Sequence, residues 1–254
     1  MDIRILVLDL DNTLLRSDKT LSERSAVALN SCRQKGIRII FASARPLRDI
    51  VPYNAVFTPD AIVFHTGAGI YENNRTVMSN AIPPDDGNAI LQDLLNRYPT
   101  SLLSAEIGDR LYANFDAKTI WPFTQYTLND LSRPFHEPFY KIISSIQSPE
   151  QFSEINHLLP STAYARIAEN RLILIMSTAA AKLSAVKQLC ERWDIPLKNT
   201  AAFGDDHIDL DILTHCGVGV AVANAIPEAL EAADYVTTSN NEDGVALWLE
   251  EHLL

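Results

Sequence analysis

The 254-residue chain is short of cysteine, of basic residues and of long apolar runs, and each shortage removes a class of protein. Its three cysteines, Cys32, Cys190 and Cys216, lie far apart, are odd in number and include no C-x-x-C pair. That pattern argues against a disulfide framework or a zinc site, and fits reduced thiols packed in a cytoplasmic protein. No stretch reaches the roughly 18 apolar residues of a membrane span. The N-terminus enters a strand almost at once, without the h-region and small-residue cleavage site of a signal peptide. The expectation is a cytoplasmic protein with no membrane partner. Basic residues number 21 against 32 acidic ones, for a formal net charge of −11, and no long basic run occurs. Such a balance disfavours neutralising a nucleic-acid backbone, so no nucleic-acid partner is expected. A small anionic substrate can still be held by a metal and a few local cations. There is no internal repeat or low-complexity tract. A monomer or small homo-oligomer is expected.

What is present is the composition of a folded protein, 47% hydrophobic and 21% charged, in a chain long enough for one large α/β domain or two unequal ones. The unbroken run Ile5-Leu6-Val7-Leu8 reads as a parallel strand buried on both faces. It stops at Asp9-Leu10-Asp11-Asn12-Thr13, which puts Asp9 and Asp11 at the sheet edge where α/β proteins build sites. Two acids this close repel unless a positive charge lies between them, and a hard divalent cation such as Mg²⁺ takes oxygen ligands. That cation would also attract a phosphate. One Asp can then attack phosphorus while the other exchanges a proton with the leaving group. The spacing alone equally allows two acids that cap a turn.

Ser22 is read as the cap of a helix running through Lys35 and stopped by Gly36, and Ile37 to Ala42 as the second strand. The unit is βαβ. Ser43-Ala44-Arg45-Pro46 follows, where a hydroxyl and fresh backbone N–H groups at a helix start offer a small anion site; Ser43 acting only as a helix cap is the alternative. Ala61 to Phe64 is a third strand, followed by a turn at His65-Thr66-Gly67-Ala68-Gly69, in which His65 is read as structural. The character changes at Pro83-Pro84. A helical pattern runs to about Tyr98, then Ser101 to Glu106 and Arg110 to Phe115 form a hairpin around Gly108-Asp109. A further helix, a strand at Tyr140 to Ile146, a helix from about Pro149 and a hairpin across Glu169-Asn170 complete the segment. Tight turns imply an antiparallel, open-faced sheet with helices. Residues 84–178 are therefore read as a domain inserted in a core made of 1–83 and 179–254. From Ala179 the α/β rhythm resumes, with a helix to about Trp193 carrying Lys182 and Lys187. A short strand, Thr200 to Phe203, ends in Gly204-Asp205-Asp206-His207-Ile208-Asp209. Val218 to Val222, a helix at Pro227 to Ala232, Tyr235-Val236 and a last helix from Glu242 follow.

In this order the motifs resemble those of the haloacid dehalogenase superfamily, specifically its Cof-type phosphatases with a type IIB cap, over the whole chain. The resemblance implies a Rossmann-like parallel-sheet core with an inserted α+β cap domain that sets substrate specificity. Through Asp9-Leu10-Asp11-Asn12-Thr13 it makes Asp9 the nucleophile and Asp11 the general acid/base, with Asn12 where Gly is usual. Through Ala42-Ser43-Ala44-Arg45 it makes Ser43 the phosphoryl-binding hydroxyl, with Ala44 and Arg45 beside it, Ala44 standing for a common Gly. The register Ala181-Lys182-Leu183-Ser184 selects Lys182 over Lys187 as the cation that neutralises the phosphoryl group and Asp9; apart from that register, either lysine reads as a solvated helix residue. Through Gly204-Asp205-Asp206-His207-Ile208-Asp209 it makes Asp205 a Mg²⁺ ligand, and Asp209 a ligand through water or an acceptor that orients one. The implied metal set is Asp9, Asp11, Asp205 and Asp209. Ile208 replaces a usual Asn and removes a polar partner there. Asn224 in Val222-Ala223-Asn224-Ala225 corresponds to a residue that reaches phosphate, and Thr66 stands where Asn usually precedes Gly-Ala.

The implied activity is Mg²⁺-dependent hydrolysis of a small phosphorylated metabolite, with sugar phosphates first, through an aspartyl-phosphate on Asp9. Two alternatives stand beside it: a sugar phosphomutase, and a phosphate- or metal-binding regulatory module that has lost turnover through the departures at Asn12, Ala44, Thr66, Leu183 and Ile208. Tyr112, Trp121, Phe123 and Tyr126 are read either as lining a sugar pocket or as core packing.

Overall fold

The structure is a computed structural model and describes residues 1–168 and 170–254; Glu169, named in the second hairpin, lies outside the described residues. The chain divides into two compact units, Met1–Met78 with Ala181–Leu254, and Ser79–Ala180.

The first unit opens with β1 (Ile5–Leu8), α1 (Glu23–Gln34), β2 (Arg38–Ala42), the one-turn helix α2 (Leu47–Ile50), β3 (Ala61–Phe64), β4 (Gly69–Glu72) and β5 (Arg75–Ser79). The second holds α3 (Pro84–Arg97), β6 (Leu103–Ile107), β7 (Arg110–Ala113), β8 (Thr127–Leu128), β9 (Phe139–Ser145), α4 (Gln151–Leu158), β10 (Ala163–Ala168) and β11 (Leu172–Ser177). The chain then completes the first unit with α5 (Lys182–Trp193), β12 (Thr200–Gly204), α6 (Leu210–His215), β13 (Val218–Val222), α7 (Pro227–Ala232), β14 (Tyr235–Thr237) and α8 (Gly244–His252).

In the first unit eight strands run in the order β14-β13-β12-β1-β2-β3-β4-β5. Every pair from β14 to β3 is parallel, and β4 returns antiparallel to β3. β1 lies in the middle, with Leu8 level with Phe203 of β12 and Phe41 of β2. Its four residues are buried, as a strand covered on both faces must be. One cluster of the core packs Ile5, Val7, Ile40 and Val63 against Val186 and Leu189 of α5. Because neighbouring strands are parallel and in step, the residues after β1, β2 and β12 emerge at one edge of the sheet. Ser22 caps α1 by accepting from the Ser25 N–H, as its position before the helix requires.

The second unit is a six-stranded sheet, β10-β11-β9-β6-β7-β8, antiparallel except between β7 and β8. α3 and α4 supply Ile90, Leu91, Leu94 and Ile155 to its core against Ala105, Ile142 and Ile173. The helix expected between Phe115 and Tyr140 is absent among the described residues. A single turn at Ala117–Thr119 and the two-residue β8 stand there instead. Pro122, Pro134 and Pro138 explain the difference, since each lacks an N–H donor and disfavours helix in the residue before it. Strands β4 and β5, joined through Asn73 and Asn74 at positive φ, extend the parallel sheet beyond the turn that the glycines suggested.

Candidate active site

The first site element is the turn after β1. Asp9 leaves the strand with its N–H on the Phe203 carbonyl, and the chain closes a wide turn in which Leu14 N–H bonds Asp9 O and Leu15 N–H bonds Leu10 O. Asn12 sits in the left-handed region at φ 59°, which Asn tolerates better than most side chains, so the usual Gly is replaced here without loss of the turn. Thr13, four residues after Asp9, is buried and donates from Oγ1 to Asp205 Oδ1 at 2.7 Å.

Lys182 is the first residue of α5, and its ammonium is fully buried between two carboxylates, 2.5 Å from Asp9 Oδ1 and 2.6 Å from Asp209 Oδ1. Asp209 is held from the other side, where its Oδ2 accepts the Asp205 and Asp206 N–H groups at 3.1 and 3.3 Å. Gly204 makes room for this: a Cβ there would lie 2.4 Å from the Asp209 Cβ. Gly67 is required for a similar reason, since its φ is +99° and a Cβ would meet the Ala181 carbonyl oxygen at 2.2 Å, one residue before Lys182.

Asp9, Asp205 and Asp209, all buried, bring a carboxylate oxygen each to within 4.8 Å of one another. Burial pushes the Asp9 carboxyl well above its ordinary pKa, Asp209 and Asp205 add to the rise, and Lys182 opposes it. Asp205 is pushed up to about 6, by burial first and then by its acidic neighbours against the Thr13 bond. Burial alone would lower the Lys182 ammonium, but Asp209 and Asp9 overcome this and hold it above its usual value. Two buried acids thus lack compensating charge beyond what one lysine supplies. Clustered hard oxygen donors of this kind fit Mg²⁺.

Asp11 is not part of this trio. Its carboxylate is gripped by Arg45, whose Nε and Nη2 donate at 2.6 and 2.7 Å, and by Lys19 Nζ at 2.8 Å. Burial would raise the Asp11 pKa, but these hydrogen bonds outweigh it and hold the acid below its ordinary value. The side chain expected as a fourth metal ligand is held instead by these cations, which the motif spacing did not reveal. Tyr53 completes this second cluster, accepting from Arg45 Nη1 at 3.0 Å and donating to the Lys19 carbonyl at 2.9 Å.

Ser43 follows β2 and is buried, its Oγ accepting the Arg45 N–H at 3.2 Å and its carbonyl accepting the Thr66 N–H at 2.9 Å. Ala44 and Arg45 beside it are half-buried. Asn224, expected to reach phosphate, has both ends of its amide engaged by backbone: Nδ2 donates to the Asn12 carbonyl and Oδ1 accepts the Asn240 N–H. It tethers the Asn12 turn. Leu183 is packed in the core and Ile208 is half-buried in the turn His207–Asp209. Sequence reasoning gave no separate role to Thr13, Lys19 or Tyr53. Thr13 was signalled by its place in the first motif; nothing local marks the other two. In the second unit Tyr112 packs on Phe135, Trp121 lies against the Ile143 and Leu174 cluster, Tyr126 bonds Asp116, and Phe123 is fully exposed.

Residues 6–249 match the sequence profile of haloacid dehalogenase-like hydrolases, and the chain belongs to that family. A Haemophilus influenzae protein named provisionally as a phosphatase is 33% identical, over 96% of this chain and 95% of its own. A Bacillus subtilis protein named 5-amino-6-(5-phospho-D-ribitylamino)uracil phosphatase is 27% identical, over 98% and 97%. The crystal structure of a haloacid dehalogenase-like hydrolase from Bacteroides thetaiotaomicron superposes with a TM-score of 0.84 at 25% identity, covering 98% of this chain and 99% of that one. The protein is an enzyme, a phosphatase of the Cof type. No helix among the described residues is long and apolar enough to cross a membrane.

Proposed function

We propose that the chain is a Mg²⁺-dependent phosphomonoesterase that hydrolyses a small sugar or polyol phosphate through an aspartyl-phosphate on Asp9. The observation that carries this reading is the buried set Asp9, Lys182, Asp205 and Asp209, in which Asp9 and Asp209 hold a single ammonium between them and burial raises the pKa of Asp9 and Asp205. Bound by Asp9, Asp205 and Asp209, Mg²⁺ would supply the charge that lets a phosphoryl dianion approach a carboxylate.

An Asp9 carboxylate oxygen bonds to phosphorus as the bond from phosphorus to the leaving oxygen breaks; Asp11, which must first turn from Arg45 and Lys19 and take up a proton, delivers that proton to the leaving oxygen. In the second half Asp11 takes a proton from water, the water oxygen attacks, and free phosphate and Asp9 are restored. Lys182 keeps Asp9 oriented and offsets negative charge gathering on the phosphoryl oxygens. The Ser43 hydroxyl, braced by the Arg45 N–H, and the Ala44 N–H would form the phosphoryl cradle, and Asp209 fixes Lys182.

The Ser79–Ala180 unit is taken as the cap that selects the leaving group, in line with its insertion between the two halves of the core. Support for a sugar or polyol phosphate comes from the relative named for a phosphoribityl compound. Three buried, unbridged cysteines accord with a cytoplasmic setting. The test is phosphate release from a panel of sugar and polyol phosphates with Mg²⁺ and with chelator. Metal-dependent release on at least one member is expected. An isomerised product without free phosphate would instead identify a mutase, and no reaction on any compound would remove the reading.

A further inference from the structure

The turn between β3 and β4 runs through three consecutive residues at positive φ: His65 at 47°, Thr66 at 59° and Gly67 at 99°. The exposed Asn73-Asn74 turn does something similar, but with residues that tolerate it. Thr66 is β-branched and buried, and such a side chain in the left-handed region is a conformational outlier. The surroundings impose it. Thr66 N–H is held by the Ser43 carbonyl at 2.9 Å and His65 N–H by the Arg45 carbonyl at 3.0 Å, while Gly67 is pressed on Ala181. The turn therefore joins the Ser43 loop to the residue that precedes Lys182.

A second observation is independent of the backbone. Thr66 Oγ1 is buried and makes no hydrogen bond among the described residues. A buried hydroxyl without a partner is a cost that valine, of the same shape, would not carry. Strain and an unmet hydroxyl at one residue, stitched to the phosphoryl-binding loop, are the signature of a group whose partner arrives with the ligand.

We propose that Thr66 is a positioning residue for phosphoryl binding: its amide fixes the Ser43 loop, and its hydroxyl finds its partner in a water or oxygen that a bound phosphoryl group brings to Ser43. This rests on the phosphatase reading, in which Ser43 takes the phosphoryl group.

The test compares Thr66→Val, which keeps the shape and branching but removes the hydroxyl, with Thr66→Ser, which keeps the hydroxyl. Two quantities are read: kcat/KM on the best substrate, and the Tm rise produced by inorganic phosphate with Mg²⁺. For Thr66→Val the ligand-free Tm is expected to equal or exceed that of wild type, while kcat/KM falls about tenfold or more and the phosphate-induced rise shrinks. Thr66→Ser should keep both readouts near wild type. A merely structural residue would move the ligand-free Tm and leave the phosphate response alone. Wild-type kcat/KM and an undiminished phosphate response in Thr66→Val would overturn the proposal. So would the absence of any phosphate-induced rise in wild type, which with turnover intact would leave the phosphatase reading standing. Should Thr66→Val not fold, loss of the phosphate response in Thr66→Ser would also overturn it.

Discussion

Lys182 and Asp209 form an ion pair at 2.6 Å in which neither side chain has any exposed surface, and the same ammonium reaches Asp9 at 2.5 Å. A buried ion pair is costly to make and more costly to break from one side. Lys182→Met leaves two carboxylates facing each other without a cation, so a loss of about 3–5 kcal/mol of stability is expected at neutral pH. The loss shrinks as pH falls, because Asp9, whose pKa is already raised, takes up a proton. Urea denaturation of the variant at two pH values reads both effects; an unchanged midpoint at neutral pH would show that the pair has no such weight.

Asp205 exemplifies an acid whose burial works against stability. Its folded pKa of about 6 exceeds the ordinary 3.8, so the folded state binds its proton more tightly than the unfolded chain does. Stability without metal therefore falls as pH rises from about 3.8 to 6, and the cost is fully present above that range. Asp205→Asn removes it. A ligand-free Tm a few degrees above wild type is expected at pH 7, converging with wild type in acid, together with loss of the Tm rise caused by Mg²⁺.

Protons and metal compete for the same oxygens. Mg²⁺ affinity, measured by calorimetry on the wild type, is expected to fall by about tenfold or more per pH unit below about pH 6, where Asp205 takes up a proton and the raised Asp9 adds to the loss. Affinity that does not change between pH 7 and pH 5 would remove Asp205 from the metal site.

Asp11 has the opposite sign. Arg45 and Lys19 hold its pKa below the ordinary value, so the stability it contributes is present above about 3.8 and lost as pH falls through the lower folded value. Arg45→Met should cost at most about 1 kcal/mol at pH 7, because the cluster is partly exposed, with the difference from wild type closing in strong acid. Carboxyl resonances followed by NMR should show Asp11 titrating at higher pH in the variant.

Much of this was legible in the sequence, for identifiable reasons. The unbroken apolar run Ile5–Leu8 reads as a strand buried on both faces, as it is, and with β2 and β12 in parallel register it delivers Asp9, Ser43 and Asp205 to one sheet edge. Periodicity and caps also located α1 at Ser22 and the two hairpins of the inserted unit. Side-chain direction was not legible. The two-residue spacing of Asp9 and Asp11 suggests shared duty, but the cations at Lys19 and Arg45 separate them, and partners 8 and 34 residues away leave no local pattern. Asn224 fits a motif yet binds backbone. The helix expected before β9 is absent among the described residues because Pro122, Pro134 and Pro138 interrupt the segment.

The measurement that bears most directly on the central claim is a rapid acid quench of wild-type enzyme mixed with its best phosphorylated substrate and Mg²⁺, followed by peptide mass spectrometry. One phosphoryl group is expected on the peptide spanning Asp9, absent with chelator and absent in Asp9→Asn. Phosphate release by the Asp9→Asn variant at the wild-type rate, or a wild type that turns over and never carries the phosphoryl group on Asp9, would contradict it.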